Sequence, residues 1–562
     1  MKHWKELFPY TEIRPQQEVA IEAIINAYNN GKKHFILEAP TGTGKSGIAV
    51  TFARYLKENG KRTTIITKTK ALQDQYNSEF KDVFDLKGKT NYPCIKREGV
   101  VYGSPACEVF VKSKWCRPKG ECPYVQRREV WKESASIRMT NFSFMCQCDE
   151  LVCDGEFKSD CTVIDECHNI SEEIISRSTL TLDTKEIRDN IISPFLKVKE
   201  ELPIDFSIKS LIEEILQFKS SLKASVENEL VILNDKLMDL SENISSGLFL
   251  AIENLDKAKE TKLKKSLSSM KEFGIEIDES NVKIPDSFYR LTEYLNNLYN
   301  KFNSVTNSCI GSKFVFEENE DGVVKITPVF ASSSANHILL KKADFHLHMS
   351  ATVGDMKVYM KELGLDENEC EVLSLEGVFK KENRPIYYIP LVNFSYNNQE
   401  NSLDTISSFI TEILSKNRGN KGIIHTSSYH YAYEIAKRVR NGRLKIPTDD
   451  FTIDDFINSK EDYVLLSPSV FEGYDFKDDL ARFQILTKVQ YASLGDVYVR
   501  KKAELYPRWY VKEAANKLTQ SYGRGVRHED DWCEFFIPDT NFERLLNKDL
   551  FPLWFKEAIQ EI

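Results

Sequence analysis

The sequence has no apolar run near the ~18–20 residues that a membrane-spanning helix needs, so no helical membrane span is expected. Its first residues, MKHWKELFPYTEIR, are charged and carry no apolar stretch of the secretory kind, so a cytoplasmic setting is expected instead of export. An excess of positive charge is also missing. Against 76 Lys and Arg stand 85 Asp and Glu, a net charge of −9. This excludes a chain that holds nucleic acid by being basic throughout, though not one with a local basic groove. Short repeats, collagen-like tracts and Pro-rich linkers are absent as well. What remains is a globular composition, 41% hydrophobic and 29% charged over 562 residues. That length leaves room for three or four domains of ~100–200 residues each.

Cysteine is present but crowded. Nine of the 12 cysteines lie between Cys94 and Cys167, at positions 94, 107, 116, 122, 146, 148, 153, 161 and 167. In a cytosolic chain such a cluster points to metal binding more than to disulfides.

Hydrophobic patterning divides the chain. Gln16–Asn29 reads as helix, His34–Glu38 as strand, Ser46–Glu58 as helix and Arg62–Thr67 as strand, with a further buried strand at Cys161–Asp165. Alternating strands and helices argue for a parallel α/β sheet. From about 170 to 325 apolar residues recur at three- and four-residue steps, from Ile208 and Leu211 through Val226, Leu230 and Leu233 to Ile244. That periodicity predicts helices packed on helices. The charged run Lys257–Lys271 reads as a solvated face. Beyond about 375 the alternation returns, with strands at Gly422–Thr426, Tyr463–Ser467, Phe483–Thr487 and Glu534–Pro538.

Glu38-Ala-Pro-Thr-Gly-Thr-Gly-Lys-Ser46 follows a strand and opens a helix. This is the setting of a phosphate-binding loop: Thr41, Gly42, Thr43 and Gly44 turn backbone N–H groups towards phosphates, and a helix N-terminus adds partial positive charge. Lys45 is placed to reach the β- and γ-phosphates of ATP, and the Ser46 hydroxyl to ligate Mg²⁺. Ala39 stands where a first glycine is usual. Val163-Ile-Asp-Glu-Cys-His168 supplies the complementary acids, Asp165 for Mg²⁺ and Glu166 for the attacking water. His168 is expected to link this site to the rest of the molecule, with a purely structural histidine as the alternative.

Several shorter patterns follow in a telling order. Arg14-Pro-Gln-Gln17 precedes the loop, Thr67-Lys-Thr-Lys-Ala-Leu-Gln-Asp-Gln75 follows the second strand, and Ser350-Ala-Thr352 ends a strand-like run. Lys421–Tyr429, Glu472-Gly-Tyr-Asp475 and Gln520-Ser-Tyr-Gly-Arg-Gly-Val-Arg527 come later. Arg524 and Arg527 would share one face if helical. In this order the segments resemble motifs of the iron–sulfur XPD/DinG group of superfamily 2 helicases, over nearly the whole chain. Arg14 and Gln17 look like its adenine-reading motif, and Asp165–His168 like its acid box with Cys167 in place of alanine. Asp475, Gln520, Arg524 and Arg527 look like residues that complete the ATP site from a second domain.

The resemblance implies an α/β fold with two RecA-like motor domains, the first interrupted by an iron–sulfur domain and a helical arch. The expected divisions are 1–86, 133–170 and 326–375 for the first motor, 87–132 for the cluster domain, 171–325 for the arch and 376–562 for the second motor. It implies ATP and Mg²⁺ as cofactors and a [4Fe–4S] cluster held by Cys94, Cys107, Cys116 and Cys122. Zinc on a second quartet, Cys146, Cys148, Cys153 and Cys161, remains an alternative, and Cys161 and Cys167 are expected to be packing residues. The cluster stretch also localises the charge. Between Thr90 and Lys132 nine Lys or Arg oppose four acids, interleaved with Tyr92, Tyr102, Phe110, Trp115, Tyr124 and Trp131. Cations hold phosphates and aromatics stack on bases, although some of these rings must fill a core.

The implied activity is ATP-dependent 5′→3′ movement on single-stranded DNA by a monomeric motor that opens forked or tailed duplexes. RNA is an alternative substrate. The competing functions are a remodelling ATPase that separates no strands and a zinc-stabilised nucleic-acid adaptor with a vestigial ATPase. Two departures from the family pattern stand out: Gln490 occupies a position where proline is common, and the chain is short. A nuclease domain ahead of Arg14 is not expected.

Overall fold

The computed structural model describes residues 3–88, 91–93, 122–147, 158–272, 284–394, 399–469 and 476–560. Along the first part run β1 (His34–Glu38), β2 (Thr63–Thr67), β3 (Phe84–Asp85), β4 (Ile137–Asn141) and β5 (Ser159–Asp165). An insertion then carries β6 (Leu180–Leu182), β7 (Val226–Glu227), β8 (Leu230–Ile232), β9 (Lys313–Glu318) and β10 (Val324–Pro328). The chain returns with β11 (Ala343–Ser350) and β12 (Cys370–Ser374).

The first sheet has the order β12-β1-β11-β5-β2-β4-β3, and its pairs are parallel. β1 and β2 are buried along their whole length, which is why HFILE and TTIIT read as continuous runs without polar alternation. β11 lies between β1 and β5, with Glu38 level with Ser350 and Met349 level with Asp165. The phosphate loop, the Ser-Ala-Thr segment and the acid box are therefore neighbours at one end of the sheet. Helices α1 (Pro15–Asn29), α2 (Lys45–Glu58) and α3 (Lys70–Glu79) flank it.

The second sheet consists of β13 (Ile386–Val392), β14 (Gly422–His425), β15 (Leu444–Lys445), β16 (Val464–Ser467), β17 (Phe483–Leu486), β18 (Glu534–Asp539) and β19 (Ile559–Gln560). Its order is β15-β16-β14-β17-β18-β13-β19, again with parallel pairs. The two parallel sheets match the expected α/β architecture.

The insertion departs from a purely helical reading. Long helices are present at Lys209–Ala224, Asp235–Glu272 and Asp286–Thr306. They pack with a five-stranded antiparallel sheet of order β6-β10-β9-β8-β7, in one shared core. Val226 and Leu230 sit in the β7–β8 hairpin, not on a helix, and its tip residues Asn228 and Glu229 have positive φ of 49° and 64°. β10 crosses the expected boundary at 325. The Lys257–Lys271 run lies on the helix Asp235–Glu272, where Lys257 and Lys264 pair with Glu253 and Glu260 one turn earlier.

Of the expected cluster stretch, Cys94, Cys107 and Cys116 lie outside the described residues, as do Cys148 and Cys153. Cys122 is the residue that precedes the helix Pro123–Glu129, at its N-cap position. Tyr124 and Trp131 are core residues packed with the first sheet's Ile66 and Ile164. Arg127 pairs with Asp85 and lies 4.3 Å over the Phe84 ring. This part of the stretch thus serves packing, in line with the expectation that some of its rings fill a core. Cys161 and Cys167 are fully buried packing residues as well. Among the described residues, no helix is long and apolar enough to cross a membrane.

Candidate nucleotide site and nucleic-acid groove

The loop after β1 turns sharply through Gly42 and Gly44, whose φ angles of 84° and 79° favour glycine. Gly42 is also pressed by a neighbour: a Cβ there would stand 2.2 Å from the Phe379 ring. Phe379 lies on the linker between the two sheets and packs into the second sheet's core. Lys45 Nζ donates to the Ala39 carbonyl at 3.2 Å. Arg14 donates to the Gly42 carbonyl and Gln17 Nε2 to that of Thr43 at 2.9 Å, while Gln17 Oε1 accepts from Arg14 N at 2.9 Å. The expected adenine-reading pair is thus held against the phosphate loop, whose Thr43 hydroxyl donates to Pro40 O at 2.8 Å.

The acids stand opposite. Asp165 Oδ1 accepts from Glu166 N at 3.1 Å, and Oδ2 accepts from the Tyr76 hydroxyl at 3.0 Å. Glu166 has φ 56°, a left-handed conformation that non-glycine residues adopt at a cost. Burial, then the Glu166 charge, pushes Asp165 up to about 6, against the pull of Lys45. Burial also acts to raise Glu166, but Lys45, His168 and Arg524 outweigh it and hold Glu166 below the ordinary carboxylate value. Lys45 therefore faces both acids, and Arg524 reaches Glu166 electrostatically from the second sheet.

Ser350 joins the halves of the site. Its hydroxyl lies 2.7 Å from His168 Nδ1 and 3.4 Å from Glu166 Oε2. His168 Nε2 meets Asn169 Nδ2 at 2.7 Å, and Asn169 Oδ1 accepts from Lys68 Nζ at 3.0 Å. Thr352 Oγ1 accepts from Gln520 Nε2 at 3.4 Å, and Ala351 O accepts from Trp554 Nε1 at 3.2 Å, so the segment also touches the second sheet's helices.

The condition for a shared arginine face, a helix through both residues, is not met. The helix Pro507–Tyr522 ends at Gly523, so Arg524 and Arg527 lie on the following loop and share no helical face. Asp531 anchors that loop. Its fully buried carboxylate accepts from Arg527 N at 3.1 Å, Arg482 Nη1 at 2.9 Å, Asp478 N at 3.2 Å and Trp532 N at 2.9 Å. Asp475 lies outside the described residues. Between the loop and the linker a small space of about 20 Å³ remains, lined by Pro40, Thr41, Phe379 and Val526 among others.

Three contributors carry no flag in the sequence. Tyr76 shows only as a buried position three residues after Gln73 on α3. Phe379 and Asp531 are ordinary residues of a linker and a loop until the fold places them.

A second concavity, of about 670 Å³, opens at the carboxyl ends of the second sheet's strands. Phe394 follows β13, Ser427 follows β14, Lys488 and Gln490 follow β17, and Asn541 follows β18. Ligands of open parallel sheets bind at such ends. Tyr491 and Tyr510 stack there with centroids 5.3 Å apart. Lys488 lies over the rings of Phe394 and Tyr431, and Arg544 and Lys548 add charge. Gln490, the departure from proline, donates to Thr426 O at 2.6 Å and ties two strand ends together. A further cavity of about 490 Å³ separates the first motor from the insertion, with Arg177, Lys301 and Lys342 against Glu186 on its wall.

Two parallel sheets, with a phosphate loop and acids on one and an arginine loop from the other, define a nucleotide-driven motor of the RecA-like kind. Comparison with known proteins agrees. The family described as type III restriction enzyme, res subunit, matches residues 10–198, and the helicase C-terminal domain matches residues 410–558. A probable ATP-dependent helicase of Methanocaldococcus jannaschii is 23% identical over 96% of this chain and 93% of its own length. The ATP-dependent DNA helicase CHL1 of Candida albicans is 22% identical over 78% of this chain. The chain spans 59% of that relative's length. The solved structure of S. tokodaii Xpd4 superimposes with a TM-score of 0.56 at 14% identity, covering 97% of this chain and 99% of that one. A solved XPD helicase gives 0.55 at 15% identity, over 98% and 100%. These matches support an XPD/DinG-type superfamily 2 helicase, an ATP-hydrolysing enzyme.

Proposed function

We propose that this protein is a monomeric, cytoplasmic helicase that moves 5′→3′ along single-stranded DNA and opens forked or tailed duplexes. The observation that carries the reading is the reach of Arg524, from the second sheet, to Glu166 on the first, with Lys45 facing the same acids. ATP bound between the sheets would meet Lys45 on its β- and γ-phosphates, Glu166 beside the attacking water, and Arg524 or Arg527 on the charge that develops at the γ-phosphoryl. Such an arginine contributes ~10³–10⁵ in rate in other phosphoryl-transfer enzymes. Arg14 and Gln17 would read the adenine.

Asp165 and Ser46 offer hard oxygen donors at the edge of the loop. The Asp165 carboxylate accepts two hydrogen bonds and keeps lone pairs to spare, which suits Mg²⁺. Mg²⁺ would neutralise phosphate charge there. His168 and Ser350 would pass closure of the cleft to Glu166.

Single-stranded nucleic acid fits the groove on the second sheet, where stacked tyrosines and lysines combine base stacking with phosphate attraction. The basic wall between the first motor and the insertion suits a continued strand path. The [4Fe–4S] reading rests on Cys94, Cys107, Cys116 and Cys122, and the domain divisions are proposed on the same resemblance, with the insertion running on through β10 to Pro328. Protein purified without oxygen should contain about four irons per chain; a colourless zinc protein would refute the cluster.

Lys45→Ala is expected to abolish DNA-stimulated ATP hydrolysis, and an unchanged rate would refute the assigned site. Strand-displacement assays should show unwinding of 5′-tailed duplexes. Unwinding of 3′-tailed substrates alone would refute the polarity, and translocation without displacement would favour the remodelling ATPase.

A further inference from the structure

α3 touches the acid box from its inner side. The helix carries most of the Thr67–Gln75 segment and buries two polar residues, Gln73 and Tyr76. Tyr76 is fully enclosed, and its hydroxyl donates to Asp165 Oδ2 at 3.0 Å. Ser46 lies against the same hydroxyl. One phenol thus stands between the two side chains assigned to Mg²⁺. Just before α3, Lys68 donates to Asn169 of the acid-box turn at 3.0 Å. The segment is therefore pinned to the acid box twice, once through Lys68 and once through Tyr76.

We propose that Tyr76 is a positioning residue that fixes the Asp165 carboxylate for Mg²⁺ and transmits the placement of α3 to the metal site. The inference rests on the functional reading above, in which Asp165 holds Mg²⁺ and the motor runs on single-stranded nucleic acid. A carboxylate with both oxygens hydrogen-bonded has one orientation in which its remaining lone pairs face outward. Without the phenol, Asp165 Oδ2 is buried without its donor, and the carboxylate is free to rotate away from Ser46. Groups that orient metal ligands in this way commonly contribute ~10–100-fold in metal affinity. A displacement of α3 by a bound strand acts on the same hydrogen bond.

The test is the binding of a fluorescent ADP, titrated with Mg²⁺ with and without a single-stranded oligothymidylate. In Tyr76→Phe the Mg²⁺ concentration for half-maximal effect should rise roughly ten-fold, while metal-free ADP binding stays as in the wild type. The oligonucleotide should lower the Mg²⁺ requirement of the wild type and have less effect on the variant. In an Asp165→Asn background, adding Tyr76→Phe should change nothing further, because the two groups act as one. An unaltered Mg²⁺ titration in Tyr76→Phe overturns the proposal, as does equal loss of metal-free and metal-dependent binding. An additive double variant, or no oligonucleotide effect in the wild type, overturns it too. If Asp165→Asn alone leaves the Mg²⁺ titration unchanged, the site assignment itself fails.

Discussion

The side chains that do the least visible work here are buried and polar. Three histidines, His34, His346 and His348, form a row across β1 and β11, with His34 Nδ1 3.3 Å from His348 Nε2 and His348 Nδ1 2.9 Å from the Tyr359 hydroxyl. Burial, with His346 and Lys33 adding repulsion, pushes His34 down to about 3. Burial pushes His346 down to about 4. Unfolded, such groups titrate near 6.5. Between those values the unfolded chain binds protons that the folded chain refuses. Stability is therefore full above pH ~6.5 and falls as the pH drops, by up to ~1.4 kcal/mol per pH unit for each histidine. Thermal melts between pH 7 and 4 should show this loss, and His34→Gln should flatten its slope. The phosphate loop and the acids were legible in the sequence because their chemistry needs particular residue types at fixed spacing. Tyr76 was not, because a tyrosine on an amphipathic helix looks like any core residue until the fold sets it against Asp165.

At the scale of elements, strands were readable where both faces are covered, since HFILE and TVID need no alternation to be recognised. The hairpin at 226–232 was not. It carries no glycine at its turn, and Asn228 and Glu229 take up positive φ there, so Val226 and Leu230 fell into step with the helices on either side. The same hairpin reaches the second motor, where Glu229 pairs with Arg500 and Lys501 at 2.7 and 3.2 Å. The arginine spacing left helix or loop open for a related reason: Arg-Gly-Val-Arg has helical spacing, but Gly523 ends the helix before it. Asp531 now fixes that loop. Asp531→Ala removes a buried partner of Arg482, at a cost on the order of 3 kcal/mol. It should also slow ATP hydrolysis by unseating Arg524 and Arg527, while leaving nucleotide binding at the phosphate loop intact. Melting temperature and nucleotide affinity measured side by side distinguish this from general unfolding.

For the whole molecule, the order of sheet one matters more than its size. Composition and alternation announced two α/β units, and the motif order announced how they face each other. Neither could announce that β11 is the strand between β1 and β5, because strand order is set by long-range pairing and not by local pattern. A chain ending at residue 342 lacks that strand. It should bind no fluorescent ATP and should aggregate, since β1 and β5 would each present an unpaired edge; soluble, nucleotide-competent fragment would contradict this. The central position of β11 also sets a timetable. During synthesis the loop that holds phosphate emerges early, yet the strand that braces it follows only after residues 166–342 have left the ribosome. Pairings so distant in sequence form slowly. A half-made chain is thus idle, and the phosphate loop is braced only once the whole insertion has already been built.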